Sequence, residues 1–196
     1  MKKSYEFIVL GLGGIGSAAL YWLARRAGDE VLGLEQFRLG HELGASADHS
    51  RMIRLAYDEP DYTALTPHTF IHWQEVEAES GVQLVYRTGS LIFGPDVVSP
   101  ENHVRAYILA MHQEGIPFAI LDSREAMARF PQFRFVEDDL ILYSAHDGFV
   151  DARKANAVHI ALARARGATA LENTPVRRVR PLSNGVELET SEGVFR

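Results

Sequence analysis

Residues 5–35 read YEFIVLGLGGIGSAALYWLARRAGDEVLGLE, and the order of features in them decides the fold. Phe7-Ile8-Val9-Leu10 is a short apolar run of strand type. It leads straight into Gly11-Leu12-Gly13-Gly14-Ile15-Gly16. A helical pattern follows, with Ile15, Leu20, Leu23 and Ala24 as its apolar positions. A second apolar run, Val31-Leu32-Gly33-Leu34, ends on Glu35. Strand, glycine turn, helix, strand and acid, in that order, make the unit that binds a dinucleotide. Gly11 allows the tight turn, Gly13 lets the backbone approach a pyrophosphate, and Gly16 lets the helix lie close to the strand. The helix N-terminus offers unpaired N–H groups and a partial positive charge to the phosphates. Glu35 lies 19 residues beyond Gly16, where its carboxylate can accept hydrogen bonds from a ribose diol. A GxGxxG alone also occurs in ordinary turns; here the flanking strands, helix and acid agree with it. Glu35 would repel a 2′-phosphate, although Arg38 keeps NADP in play. The fingerprint alone does not choose between FAD and NAD.

Met1-Lys2-Lys3 followed by the uncharged run Phe7 to Ala24 has the outline of a signal peptide or membrane span. Four glycines within six residues make a poor apolar helix, and Glu6 interrupts the flank. Cleavage there would also remove the nucleotide turn. The 196 residues suffice for one large domain or two small ones. A net charge of −6 provides no basic field for nucleic acid. The chain has no cysteine, which excludes disulfides, thiol catalysis and Cys-ligated zinc or iron–sulfur within these residues, and fits a reducing cytoplasm.

Beyond Glu35, residues 36–50 (QFRLGHELGASADHS) are rich in small residues and lack a period, so they read as a loop at the carboxyl edge of the sheet, where ligands bind. Arg51 and Arg54 are three apart in SRMIRLAY; on a helix they would share a face and could grip an anion. Asp61 to Gly81 reads as a helix with Leu65, Phe70, Trp73 and Val76 inward and a disturbance at Pro67. His68 and His72 have metal-ligand spacing, but no third ligand accompanies them. Val82–Tyr86 and Ser90–Phe93 read as strands. A helix capped by Ser99, with Pro100 first, closes at Gly115. A strand at Phe118–Leu121, a short helix boxed by Asp122 and Glu125, and a strand at Leu140–Tyr143 follow. After a turn at Asp147-Gly148, Asp151 caps a helix to Arg166, and Ala168–Leu171 supplies another parallel strand for the first sheet. A hairpin turns at Asn184-Gly185. An edge strand is starting where the chain reaches Phe195-Arg196, so the sequence reads as cut rather than finished.

With these residues in hand the chain resembles the glycine/D-amino-acid-oxidase-like FAD-dependent oxidoreductases, in the branch of the sarcosine and N-methyltryptophan oxidases. GLGGIG with Glu35 is generic. HELGASADHSRMIRLAY is more specific, matching a small-residue loop followed by R-x-x-R-x-x-Y. RTGSLIFGP matches the sheet that enters the substrate domain, and DGFVDARKANAVHIALARARGATALENTPV matches the return. The resemblance implies an α/β fold: a Rossmann-type FAD-binding domain with an inserted α+β substrate domain. The expected parts are 1–81 and 145–196 for the FAD domain and 82–144 for the substrate domain. It implies FAD rather than NAD, with Gly11, Gly13, Gly14 and Gly16 along the pyrophosphate, Glu35 on the adenosine ribose and the Val176 backbone at adenine. His41, Gly44, Ser46, Ser50 and Arg51 would lie along the flavin side, and Arg54 would hold a substrate carboxylate. No metal is implied.

This chain departs from the pattern at three places. Leu43 stands where close members carry histidine. Asp48-His49-Ser50 replaces Gly-Asp-Thr. Leu20 fills a helix position usually given to a small residue. The expected activity is oxidation of a secondary amino acid to an imine, with oxygen as acceptor and hydrogen peroxide as product. An NAD-dependent dehydrogenase and an inactive dinucleotide-binding fragment are the alternatives.

Overall fold

The computed structural model describes residues 2–96 and 103–196. In chain order the elements are β1 (Phe7–Leu10), α1 (Gly14–Ala27), β2 (Val31–Leu34), β3 (Ser50–Ile53), α2 (Pro60–Ser80), β4 (Val85–Arg87) and β5 (Ser90–Pro95). Then come α3 (His103–Gln113), β6 (Ala119–Leu121), α4 (Ser123–Arg129), β7 (Asp139–Ser144) and β8 (Gly148–Asp151). The last five are α5 (Ala152–Ala165), β9 (Thr169–Leu171), β10 (Val176–Leu182), β11 (Gly185–Thr190) and β12 (Gly193–Phe195). Among the described residues no helix is long and apolar enough to cross a membrane.

The chain divides into two units. Met1–Arg51, Ser80–Leu84 and Asp151–Arg196 form the first; Met52–Glu79 and Val85–Val150 form the second. In the first unit β1, β2 and β9 make a parallel sheet in that order, so the strand expected after the second helix does join the opening βαβ. A right-handed crossover through a helix is the usual way to place such a strand. Helices α1 and α5 pack against each other. An antiparallel sheet, β10-β11-β12, completes the unit, with Tyr5, Leu32, Leu34, Leu188 and Phe195 as a shared core. The Tyr5 N–H donates to the Arg196 carbonyl (2.7 Å), tying the two ends of the sequence together.

In the second unit β5, β7 and β6 form an antiparallel sheet, and β4 pairs with β8. Ile53, Leu55, Phe70, Val104, Met111 and Leu142 pack into its main core. This core explains where the division falls. The expected boundary at 81 assigned α2 to the nucleotide domain, whereas Phe70 and Trp73 turn α2 onto the core of the second unit. The return likewise comes at Asp151 rather than 145, because β8 pairs with β4.

Local differences have local causes. Ile15, expected inward, is 91% exposed, and Tyr21 takes a buried place on α1. SRMI is a strand, so a shared helical face for Arg51 and Arg54 does not arise. Helix α2 starts at Pro60, leaving Asp61 in the first turn, where its charge complements the helix dipole. Pro67 provides no N–H for the Thr63 carbonyl; the Thr66 hydroxyl donates to it instead (2.9 Å), and the helix runs through. Leu65 points out, and Thr63 and Thr66 are buried. The strand expected from Val82 begins only at Val85, since the Val82 N–H goes to the Ser80 hydroxyl (3.2 Å). The expected cap at Ser99 and Pro100 lies outside the described residues. Asp122 and Asp151 cap α4 and α5 as expected, accepting from Glu125 N–H (2.7 Å) and Lys154 N–H (3.0 Å).

Candidate functional site

The site is built from the turn between β1 and α1. Gly11 has φ +81, which side chains resist, and its N–H extends the β1–β2 ladder to the Leu34 carbonyl (2.8 Å). A Cβ at Gly16 would lie 1.7 Å from the Gly11 carbonyl oxygen, so only glycine lets α1 sit this close to the strand. At Gly13 a Cβ would meet nothing nearer than the Ser46 hydroxyl at 4.0 Å, so the space over this residue is open. The Gly14 N–H donates to the Ser46 hydroxyl (3.0 Å). An oxygen acceptor thus already sits on a helix-terminal amide of the kind a phosphate takes.

Glu35 is 4% exposed and tightly held. Its backbone N–H donates to the Leu171 carbonyl (2.8 Å), and its own carbonyl accepts from Thr174 N–H (2.8 Å). One carboxylate oxygen accepts from Leu12 N–H (2.8 Å), the other from Phe37 N–H (3.1 Å), with His41 Nε2 3.4 Å away. The Leu43 N–H donates to His41 Nδ1 (3.0 Å), which puts the neutral ring's proton on Nε2, facing Glu35. The acid is therefore oriented by the glycine turn itself, with lone pairs to spare.

Two cavities meet at these residues. One, about 440 Å³, is lined by Leu10, Gly11, Leu43, Thr174 and Val176. The other, about 330 Å³, is lined by Leu12, Leu39, Ser46, Ala47 and the inner face of α5. Gly13, Glu35, His41 and Gly44 border both. The glycine turn, its amide donor, the oriented acid and this adjoining space fit an adenine dinucleotide.

Arg51 lies in β3, just after the loop that carries Gly44, Ala45 and Ser46. Its guanidinium donates to the carbonyls of Ser50 (2.7 Å) and Ala45 and pairs with Asp48 at 3.2 Å. The His49 N–H and Arg51 hold the Asp48 carboxyl below the usual carboxylate range. Ala45 lines the smaller cavity, which ties Arg51 to the wall of the site. Arg54 belongs to the second unit, where its guanidinium lies over the rings of Tyr57 (4.6 Å) and Tyr107 (5.3 Å). Of the other expected residues, Val176 opens β10 and Ser50 opens β3.

Residues 6–196 match the family model for FAD dependent oxidoreductases of the DAO type. The chain belongs to this family. Among curated relatives, monomeric sarcosine oxidase of Streptomyces avermitilis is 34% identical over 197 residues, covering 100% of this chain and 50% of that protein. N-methyl-L-tryptophan oxidase of Salmonella arizonae is 32% identical over 193 residues, covering 97% and 50%. The solved open form of NikD, described as an unusual amino acid oxidase essential for nikkomycin biosynthesis, superposes with a TM-score of 0.86 at 30% identity, covering 100% and 50%. L-proline dehydrogenase from P. horikoshii shares the fold at TM-score 0.86 and 21% identity, with 100% of this chain and 51% of that one covered. The chain thus spans about half the length of these relatives. FAD is the family's cofactor, and the α/β fold expected for it is the fold observed.

Several residues that line the site or anchor the fold were not singled out from sequence. Arg153, Asn156, Ala157, Ile160, Ala161 and Arg164 of α5 line the smaller cavity. Their three-and-four spacing with small residues at 157 and 161 was the available signal. Asp147, read only as a turn, is fully buried; it accepts from Leu55 N–H (2.8 Å) and the Ser90 hydroxyl (2.6 Å).

Proposed function

We propose that the full-length protein is an FAD-dependent oxidase of secondary amino acids, N-methyl amino acids foremost. The observation that carries this reading is Arg54. It is half-buried, its guanidinium faces two aromatic rings, and among the described residues it makes no hydrogen bond or ion pair. A planar donor fork in that situation suits a carboxylate. The relatives' activities supply the amine.

FAD, when bound, supplies the two-electron acceptor. Gly11, Gly13, Gly14 and Gly16 would admit the pyrophosphate, Glu35 would take the ribose hydroxyls, and the Val176 backbone would border adenine. His41, Gly44, Ser46, Ser50 and Arg51 would line the flavin side. Ser46 would exchange its bond with Gly14 N–H for a phosphate partner. Arg51 would place positive charge where the reaction accumulates negative charge; Asp48 beside it offsets part of that charge. Arg54 would hold the substrate by its carboxylate and so fix which C–H bond is presented. In the overall reaction the amine gives up two electrons and two protons to become an imine. Oxygen takes up the same number to become hydrogen peroxide, and water hydrolyses the imine. The 196 residues by themselves are not a working enzyme in this reading, and the protein works in the cytoplasm.

The test is anaerobic mixing of the FAD-loaded full-length protein with sarcosine, N-methyltryptophan or proline, followed by air. Bleaching of the flavin colour and then peroxide are expected with at least one of them. Bleaching without peroxide would make it a dehydrogenase; no bleaching with any would reject the reading.

A further inference from the structure

Arg54 sits on a segment whose backbone is fixed but whose side chain is long. The N–H of Leu55, the next residue, donates to buried Asp147 (2.8 Å), and the Leu55 carbonyl accepts from the Thr66 hydroxyl (2.9 Å). That anchors the chain and leaves several rotatable bonds between backbone and guanidinium. An arginine free to sample them loses affinity for a ligand in side-chain entropy. Tyr57 lies three residues away on the same segment. Tyr107 comes from elsewhere, on α3.

Helix α3 is aimed at this segment. His103, one helical turn before Tyr107, places Nδ1 3.2 Å from the Asp58 carboxylate. Val104 and Met111 of the same helix are buried in the core with Ile53, Leu55 and Ala56. One helix thus meets residues 53–58 through a polar contact, an apolar contact and a ring. An aromatic face attracts a cation but leaves the in-plane N–H donors of a guanidinium unspent.

We propose that Tyr107 is a positioning residue for Arg54: its ring face, with that of Tyr57, holds the guanidinium so that its N–H edge is presented to the carboxylate of the substrate. This rests on the reading of Arg54 as the carboxylate anchor. Amino acids with a free carboxylate are then the substrates that gain from the arrangement, and the corresponding amides do not.

The test uses FAD-loaded full-length protein with propionate and propionamide as probes, each titrated against the visible flavin spectrum. The variants are Arg54→Ala, Tyr107→Phe, Tyr107→Leu and Tyr107→Met, with the melting temperature of each recorded. Arg54→Ala is expected to weaken propionate by about tenfold or more, and Tyr107→Leu and Tyr107→Met by roughly three- to tenfold. Tyr107→Phe keeps the ring face and is expected to stay within about twofold of the parent. Propionamide should respond to none of them. If Arg54→Ala weakens propionate but Tyr107→Leu and Tyr107→Met do not, the proposal fails and the anchor stands. If Arg54→Ala leaves propionate unchanged, the anchor itself is wrong and the proposal falls with it. A loss of the fold in both Tyr107→Leu and Tyr107→Met would assign Tyr107 to packing alone and overturn the proposal.

Discussion

Gly33 has no side chain at the point where Leu12 and Leu20 converge on β2. A Cβ there would lie 2.9 Å from Leu12 Cδ2 and 3.0 Å from Leu20 Cδ1. This accounts for the unusual leucine at position 20: the volume it adds to the helix is absent from the strand opposite. Adding a methyl group at a closed contact costs about 1–3 kcal/mol, and Gly33→Ala is expected to fall in that range in urea melts. Leu20 is fully buried, so Leu20→Ala is expected to cost about 2–5 kcal/mol. In the Leu20→Ala background the cost of Gly33→Ala should shrink, giving a coupling of about 0.5 kcal/mol or more. Simple additivity would show that the two positions do not compensate each other. Leu20 was visible in the sequence as a departure. Its partner was not, because the contact runs between a helix and a strand that the glycine spacing does not relate.

At the scale of elements, α1 and α5 show why some structure was legible and some was not. Both helices follow from apolar spacing and their flanking residues, and the Asp151 cap was plain. What they bury between them was hidden. His159 of α5 stacks on Tyr21 of α1 (ring centroids 5.6 Å), and burial pushes it from 6.5 down to about 4. As pH falls through 6.5 the unfolded chain takes up a proton at this position while the folded chain does not. Stability should therefore decline between about pH 6.5 and pH 4, by at most about 3 kcal/mol from this group, and level off below. Urea midpoints at pH 7 and pH 5 check this, and His159→Phe should lose that part of the slope. An unchanged slope would assign the acid sensitivity to other groups. Asp147 belongs to this scale as well, since it joins the segment at Leu55 to β5 at Ser90. Asp147→Ala strands those donors in a buried setting, with an expected loss of about 1–3 kcal/mol measured by thermal or urea unfolding.

Taken as a whole, the molecule was most legible where one short stretch carries the entire instruction. Residues 5–35 contain the strand, turn, helix and acid in contiguous order, so local spacing predicts the sheet and the place of Glu35. The unit boundaries were less legible because they depend on which core α2 joins. Phe70 and Trp73 decide that through residues far along the chain, Val104, Met111 and Leu142 among them. The cavity was half legible: the loop at Gly44 to Ala47 could be placed at the sheet edge, whereas the α5 wall required the fold. The turn at Gly13 is proposed to be open because a dinucleotide lies against it. Gly13 has φ −72 and ψ −161, which alanine adopts freely, and its Cβ would have no protein neighbour closer than 4.0 Å. Gly13 is also the N-cap of α1, where alanine is poorer than glycine, so Gly13→Ala should lower the unfolding free energy of the FAD-free full-length protein by no more than about 1 kcal/mol. The deciding measurement is the FAD dissociation constant of parent and Gly13→Ala protein: a weakening of about tenfold or more, with FAD-free stability lowered by no more than about 1 kcal/mol, is predicted, and equal affinity would contradict dinucleotide binding at this turn.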